Sequence, residues 1–131
     1  MIVLDTHALV WWVGGAGGLS ARAKRAIEAA VRQGPVVSSA ISIFEIATAV
    51  RRQRLQLRAS LDEWLKDIRA LPELHFEPVT AAVAHLAGTL ESEAPGDPAD
   101  RIILATAIVL EAKLVTADER MSKVRRVEAI W

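Results

Sequence analysis

Short β-branched or apolar runs, each stopped by a turn residue and followed by a longer stretch of helical periodicity, constrain this chain more than any other feature. Ile2-Val3-Leu4 runs into Asp5, after which Ala8 to Val13 reads as an apolar helix closed by Gly14, Gly15, Gly17 and Gly18. Ser20 is placed to cap a helix through Arg22, Ala26, Ile27, Ala30 and Val31, which Gly34-Pro35 ends before the strand Val36-Val37-Ser38. Helical patterns recur from Ala40 to about Arg54, from Ser60 through Ile68, from Thr80 to Glu91, and from Asp97-Pro98 through Glu111. Strands are expected at His75 to Val79, at Lys113 to Thr116, and at the alternating tail Val127 to Trp131, which fits an edge. Strands separated by helices throughout predict an α/β three-layer sandwich with a mainly parallel central sheet. With no linker, repeat or low-complexity tract in 131 residues, a single domain over residues 1–131 is expected.

Composition narrows the function classes. Hydrophobic residues make up 52% of the chain and charged residues 24%, enough apolar surface to offset the ordering entropy that keeps polar chains unfolded. Sixteen basic and sixteen acidic residues cancel, so any nucleic-acid contact depends on local patches rather than on bulk charge. The absence of cysteine excludes disulfides and thiolate metal sites, leaving oxygen or imidazole as ligands. Met1 to Asp5 lacks the basic and apolar regions of a signal peptide, and no apolar run approaches the ~18 residues of a membrane span. A soluble, cytoplasmic protein with no membrane association is the expectation.

Chemistry is carried by acids. In an open parallel sheet, ligands bind beyond the carboxyl ends of the strands. Asp5 directly follows the first strand, and Asp118 follows Thr116 with one residue between, so both face one crevice if their strands are neighbours. Glu45 has Ile41, Ser42, Thr48 and Ala49 as its helical neighbours, with Phe44 and Ile46 beside it. A carboxylate in such surroundings is costly unless paired, protonated or bound to a cation. Asp100 begins a stripe that continues through Ile103, Leu104 and Ala107, at the edge of the core-facing side.

Taken singly, the aspartates also have a structural account. Asp5 and Asp118 can cap the helices that follow them, and Asp97 suits an N-cap because Pro98 then takes the first helical position. Asp100 would be the third residue of that helix, where the helix dipole favours an acid. Glu45 has no comparable account short of a buried partner such as an arginine. Clustered carboxylates repel, and a hard divalent cation reverses that sign, so an oxygen-only set points to Mg²⁺ or Mn²⁺ and to hydrolysis of a phosphodiester backbone.

Four spaced blocks carry a family resemblance: Met1-Ile2-Val3-Leu4-Asp5-Thr6, Ser39 to Ala47 around Glu45, Asp97-Pro98-Ala99-Asp100-Arg101, and Leu114-Val115-Thr116-Ala117-Asp118. Together they resemble a PIN domain, specifically the VapC-like ribonuclease toxins of type II toxin-antitoxin modules, over almost the whole chain. The resemblance implies that Asp5, Glu45, Asp100 and Asp118 form an acidic quartet around Mg²⁺ or Mn²⁺. Asp5 and Asp100 would stand most directly at the metal, with Glu45 and Asp118 completing the site and positioning water. It further implies Thr116 and Thr6 as polar supports, Asp97 as an accessory acid, RNA as substrate, a cognate antitoxin as partner, and a homodimer. The expected function is a metal-dependent endoribonuclease; a non-catalytic interaction module and a DNA-directed nuclease are the alternatives. A signalling receiver domain is disfavoured, since neither the adjacent acids after the first strand nor a phosphoacceptor Asp after a middle strand is present.

The remaining polar and aromatic features are less specific. Arg101, beside Asp100, is a candidate to hold RNA phosphate, whereas Arg51, Arg52, Arg54 and Arg58 also fit a solvated helix end. His7 lies near the crevice; His75 and His85 fit surface positions, and none of the three is assigned to catalysis. Trp11 and Trp12 point about 100° apart on one helix, so burying both requires cover on two sides, as from a subunit or antitoxin interface; the alternative is that one packs in the core and the other lies partly exposed. Trp64 and Trp131 read as packing residues.

Overall fold

A computed structural model describes residues 1–15 and 17–131. Along the chain run β1 (Ile2–Leu4), α1 (Thr6–Gly14), α2 (Ala21–Val31), β2 (Val36–Ser39), α3 (Ile41–Arg51), α4 (Leu61–Arg69) and β3 (Leu74–Glu77). They are followed by α5 (Ala81–Thr89), α6 (Pro98–Val109), β4 (Lys113–Val115), α7 (Glu119–Ser122) and β5 (Ala129–Ile130). The strands form one sheet in the order β3-β2-β1-β4-β5, and each described pairing is parallel, including the edge strand β5.

The period-2 geometry of a strand sorts each run between two cores. Ile2 and Leu4 of β1, Val36 of β2 and Val115 of β4 face one side, where Leu9, Ile27, Ile46 and Ile68 cover them from α1, α2, α3 and α4. Val3, Val37 and Leu114 face the other side, against Ile103, Leu104 and Ala107 of α6. Both faces being covered, the central strand β1 is apolar without alternation, as buried parallel strands are, whereas the edge strand β3 alternates Leu74, His75, Phe76 and Glu77. This is the three-layer architecture expected from the sequence. Among the described residues, no helix is long and apolar enough to cross a membrane.

Element ends follow local capping. Ser20, Ser60 and Thr80 accept hydrogen bonds from the backbone N–H groups of Ala23, Glu63 and Val83, fixing the starts of α2, α4 and α5. Three helices end earlier than their periodicity suggests: α5 stops at Thr89 rather than Glu91, where Leu90 turns extended, and α3 and α6 stop at left-handed residues. α3 stops at Arg51 rather than near Arg54, because Gln53 turns into the left-handed region at φ 59° and the Arg54 N–H reaches back to the Ala49 carbonyl. α6 stops before Glu111 in the same way, with Glu111 at φ 51° and the Ala112 N–H on the Ala107 carbonyl. Neither end carries the glycine that would have announced it.

Candidate functional site

β1 and β4 are neighbours, with Leu4 in register with Val115, so Asp5 and the Thr116–Asp118 turn leave the sheet side by side. The Asp5 N–H continues the ladder onto the Val115 carbonyl. Asp5 is buried and both of its carboxylate oxygens have donors. Oδ1 accepts from the Ala8 N–H at 2.8 Å, capping α1, and Oδ2 accepts from the Thr116 hydroxyl at 2.5 Å. That hydroxyl also accepts from the Asp118 N–H at 3.0 Å, so one threonine orients both aspartates. Capping and clustering are therefore compatible roles for Asp5. Burial pushes its carboxyl above the ordinary value, and the donors from Thr116 and Ala8 offset part of that rise.

Glu45 reaches the same crevice from α3. Its partner is a hydroxyl and not the buried arginine that the sequence left open: Thr6 donates to Oε1 at 2.5 Å. Because a hydroxyl has a single proton, the 2.9 Å contact between Thr6 and the fully buried Ser42 must have Ser42 as donor. A directed chain, Ser42 to Thr6 to Glu45, thus aims the carboxylate. Ser42 lies three residues before Glu45, one helical turn away, which is the sequence signal that could have marked it as a support. Burial raises the Glu45 carboxyl, and the charges of Asp97 and Asp5 raise it further against the opposing effect of Thr6.

The opposite wall is made by helix starts. Asp97 caps α6, accepting from the Asp100 N–H at 3.1 Å, with Pro98 in the first turn as the sequence suggests. Asp100 is pushed up to about 6 by burial and then by the negative charges of Asp97, Glu45 and Asp118. Asp118 caps the short α7, accepting from the Arg120 N–H at 2.8 Å. The Arg120 guanidinium also grips both oxygens of Asp118, Nε to Oδ1 at 3.2 Å and Nη2 to Oδ2 at 2.8 Å, and holds its carboxyl below the usual range. Nη2 lies 3.6 Å from Oδ2 of Asp100. Sequence reasoning missed Arg120, for an exposed arginine two residues after an aspartate carries no signal beyond that proximity.

Asp5, Thr6, Glu45, Asp97, Asp100 and Asp118 all line one cavity of about 490 Å³, together with His7, Trp11 and Arg120. Thr116 lies beneath it, reaching it through its two aspartates. Arg101 is placed differently from expectation. Successive helical residues diverge by about 100°, and its guanidinium turns away from Asp100 to the carbonyls of Ala87, Pro95 and Leu90 at 2.7, 3.1 and 2.7 Å. It ties the end of α5 to the start of α6, and those donors are not offered to a phosphate. Arg51, Arg52, Arg54 and Arg58 are exposed outside the cavity lining. His75 is exposed and pairs with Glu77, and His85 is exposed on α5.

The two adjacent tryptophans divide as helical geometry requires. Trp12 joins the core over β1. Trp11 is packed on one side by the chain itself and stays partly exposed at the cavity: its indole packs on Trp131 at 5.6 Å between centroids and lies so close to Gly18 that a Cβ there would meet it at 2.6 Å.

The donor set suits a hard divalent cation: carboxylates, supported by neutral hydroxyls, whose mutual repulsion such a cation relieves. Among the described residues, no three acids or imidazoles converge tightly enough to make an all-protein cage. Mg²⁺ is usually held by one or two carboxylates with the remaining positions filled by water, so the arrangement fits that mode.

A family model described as PIN domain matches residues 2–127. The chain is 37% identical to "Ribonuclease VapC22" of Mycobacterium tuberculosis, over 99% of this chain and 98% of that one. Among solved structures, it is similar to VapBC2 from Rickettsia felis bound to a DNA fragment from their promoter (TM-score 0.72, 17% identity, 98% of this chain and 97% of that chain). It is also similar to FitAcB from Neisseria gonorrhoeae (TM-score 0.70, 22% identity, 98% and 96%).

Proposed function

Because the chain belongs to the PIN-domain family, we propose that it is a metal-dependent endoribonuclease, with Asp5, Glu45, Asp100 and Asp118 as its catalytic acids and Mg²⁺ or Mn²⁺ as cofactor. The observation that carries this is the meeting of those four carboxylates in one cavity beyond the ends of β1 and β4. Full-length similarity to a ribonuclease supports RNA as the substrate. When bound, the divalent ion supplies Lewis acidity toward a phosphodiester oxygen and acidifies water.

The chain's own residues do the rest. Thr116 and the Ala8 N–H fix the two oxygens of Asp5, so this carboxylate is oriented before any ligand arrives. Glu45, aimed by Thr6, is the group best placed to orient a water and accept its proton. Asp97 adds negative charge beside Asp100 as an accessory acid. In the same reading the protein is one PIN-like domain, the cytoplasmic toxin of a toxin–antitoxin pair, acting as a homodimer and restrained by a cognate antitoxin.

The test is to incubate purified protein and its Asp5→Asn variant with total cellular RNA in Mg²⁺, Mn²⁺ or EDTA and to map the fragment ends. Cleavage at discrete sites, dependent on metal and lost by at least about 100-fold in the variant, is expected. If folded, antitoxin-free wild type leaves RNA intact but cuts DNA, the substrate assignment is wrong; if it cuts neither, so is the hydrolase.

A further inference from the structure

Arg120 is, among the described residues, the only arginine or lysine in the lining of the acidic cavity. Its side chain is 66% exposed and gains little position from packing; its guanidinium pairs with the carboxylates of Asp118 and Asp100. Arg101, on the neighbouring helix, is the opposite case, with its guanidinium fastened to three backbone carbonyls. One arginine is built into the frame, and the other is held only by charges that a metal would neutralise.

We propose that Arg120 is an internal counter-ion that sits on Asp118 and Asp100 until a divalent cation displaces it, and that the displaced guanidinium then receives an RNA phosphate. The inference rests on the metal-dependent nuclease reading above. The fork that grips both oxygens of Asp118 fits two oxygens of a phosphate equally well. A cation shared with Asp118 or Asp100 weakens the arginine's hold through charge neutralisation. The freed side chain remains at the cavity rim, facing a polyanion. Metal and RNA phosphate then favour each other's binding, each by the same factor.

Mn²⁺ binding, followed by isothermal titration calorimetry, gives a readout independent of cleavage. Arg120→Gln should bind Mn²⁺ roughly two- to fivefold more tightly than wild type, the scale of an exposed ion pair. Arg120→Lys, which keeps the charge but loses the fork, should fall between. In a second arm, fluorescence anisotropy of a short unstructured RNA is measured with and without Ca²⁺, another hard cation that takes oxygen ligands. Ca²⁺ should tighten RNA binding to wild type, and this gain should shrink in Arg120→Gln. Near-UV circular dichroism of the four tryptophans checks that the variants are folded. Equal or weaker Mn²⁺ binding by folded Arg120→Gln overturns the counter-ion role, and an undiminished Ca²⁺ gain overturns the transfer to phosphate. Wild type that takes up no Mn²⁺ fails at an earlier point, sinking the metal-dependent reading on which both depend.

Discussion

The two walls of the acidic cavity are held by different chemistry. On the side of β1 and α3, Asp5 and Glu45 accept from neutral hydroxyls of Thr116 and Thr6, the latter backed by Ser42. On the side of α6 and α7, Asp97, Asp100 and Asp118 cluster at helix starts, and the side chain that bridges Asp100 and Asp118 is a charged guanidinium. A hydroxyl orients a carboxylate without cancelling its charge, whereas an arginine orients and neutralises it together. The first wall is therefore organised and available; the second is organised around a cation that has to move.

Removing the anchor of the second wall should have the largest effect. Arg101→Met takes three charge-assisted bonds from carbonyls at the α5–α6 connection and is expected to cost about 3 kcal/mol in urea unfolding, with the m-value unchanged. A loss under about 1 kcal/mol would mean that the helix packing alone positions Asp100. Next comes the first wall. Thr116→Val leaves the buried Asp5 carboxylate without one donor and the Asp118 N–H without its acceptor, and should cost about 2 kcal/mol. An unchanged midpoint would show that the hydroxyl wall is no more rigid than the ionic one.

The smallest expected effect is a pH-dependent gain. The Asp100 carboxyl is raised to about 6 from 3.8, so the folded, metal-free protein holds this proton more tightly than the unfolded chain. Such a group makes stability fall as pH rises from about 4 to about 6 and leaves it low above that. Asp100→Asn removes the dependence: parity with wild type near pH 4, and a gain of about 1 kcal/mol at pH 7 after allowance for solvent screening. Thermal melts in EDTA across that range check it, and a variant that gains nothing at pH 7 would show that neither burial nor repulsion at the second wall penalises the Asp100 charge.

Asp5 and Asp118 were legible in sequence because each follows a β-branched run, but their meeting depended on β1 lying beside β4, a pairing across the chain that no local pattern states. Glu45 was legible as a charge out of place among apolar neighbours. What held it was not, since Thr6 and Ser42 are ordinary residues until the α1–α3 contact brings their hydroxyls into line. Arg101 misled for the converse reason: adjacency to Asp100 in sequence is divergence on a helix. The early stops of α3 and α6 were hidden because Gln53 and Glu111 adopt a conformation usually signalled by glycine. Local rules thus recovered the layers and marked acids that line one cavity, while long-range hydroxyl and guanidinium contacts escaped them.

The Thr116 hydroxyl that holds Asp5 lies 111 residues downstream of it. On a ribosome adding ~5–20 residues per second, Asp5 waits roughly 6 to 20 s before its partner is made. Synthesis itself thus delays assembly: the cavity cannot close until translation has passed Asp118, so a prematurely terminated chain lacking β4 has neither Asp118 nor the brace on Asp5. For a protein proposed to cut RNA in the cell that makes it, truncation leaves an inert fragment rather than an unregulated blade.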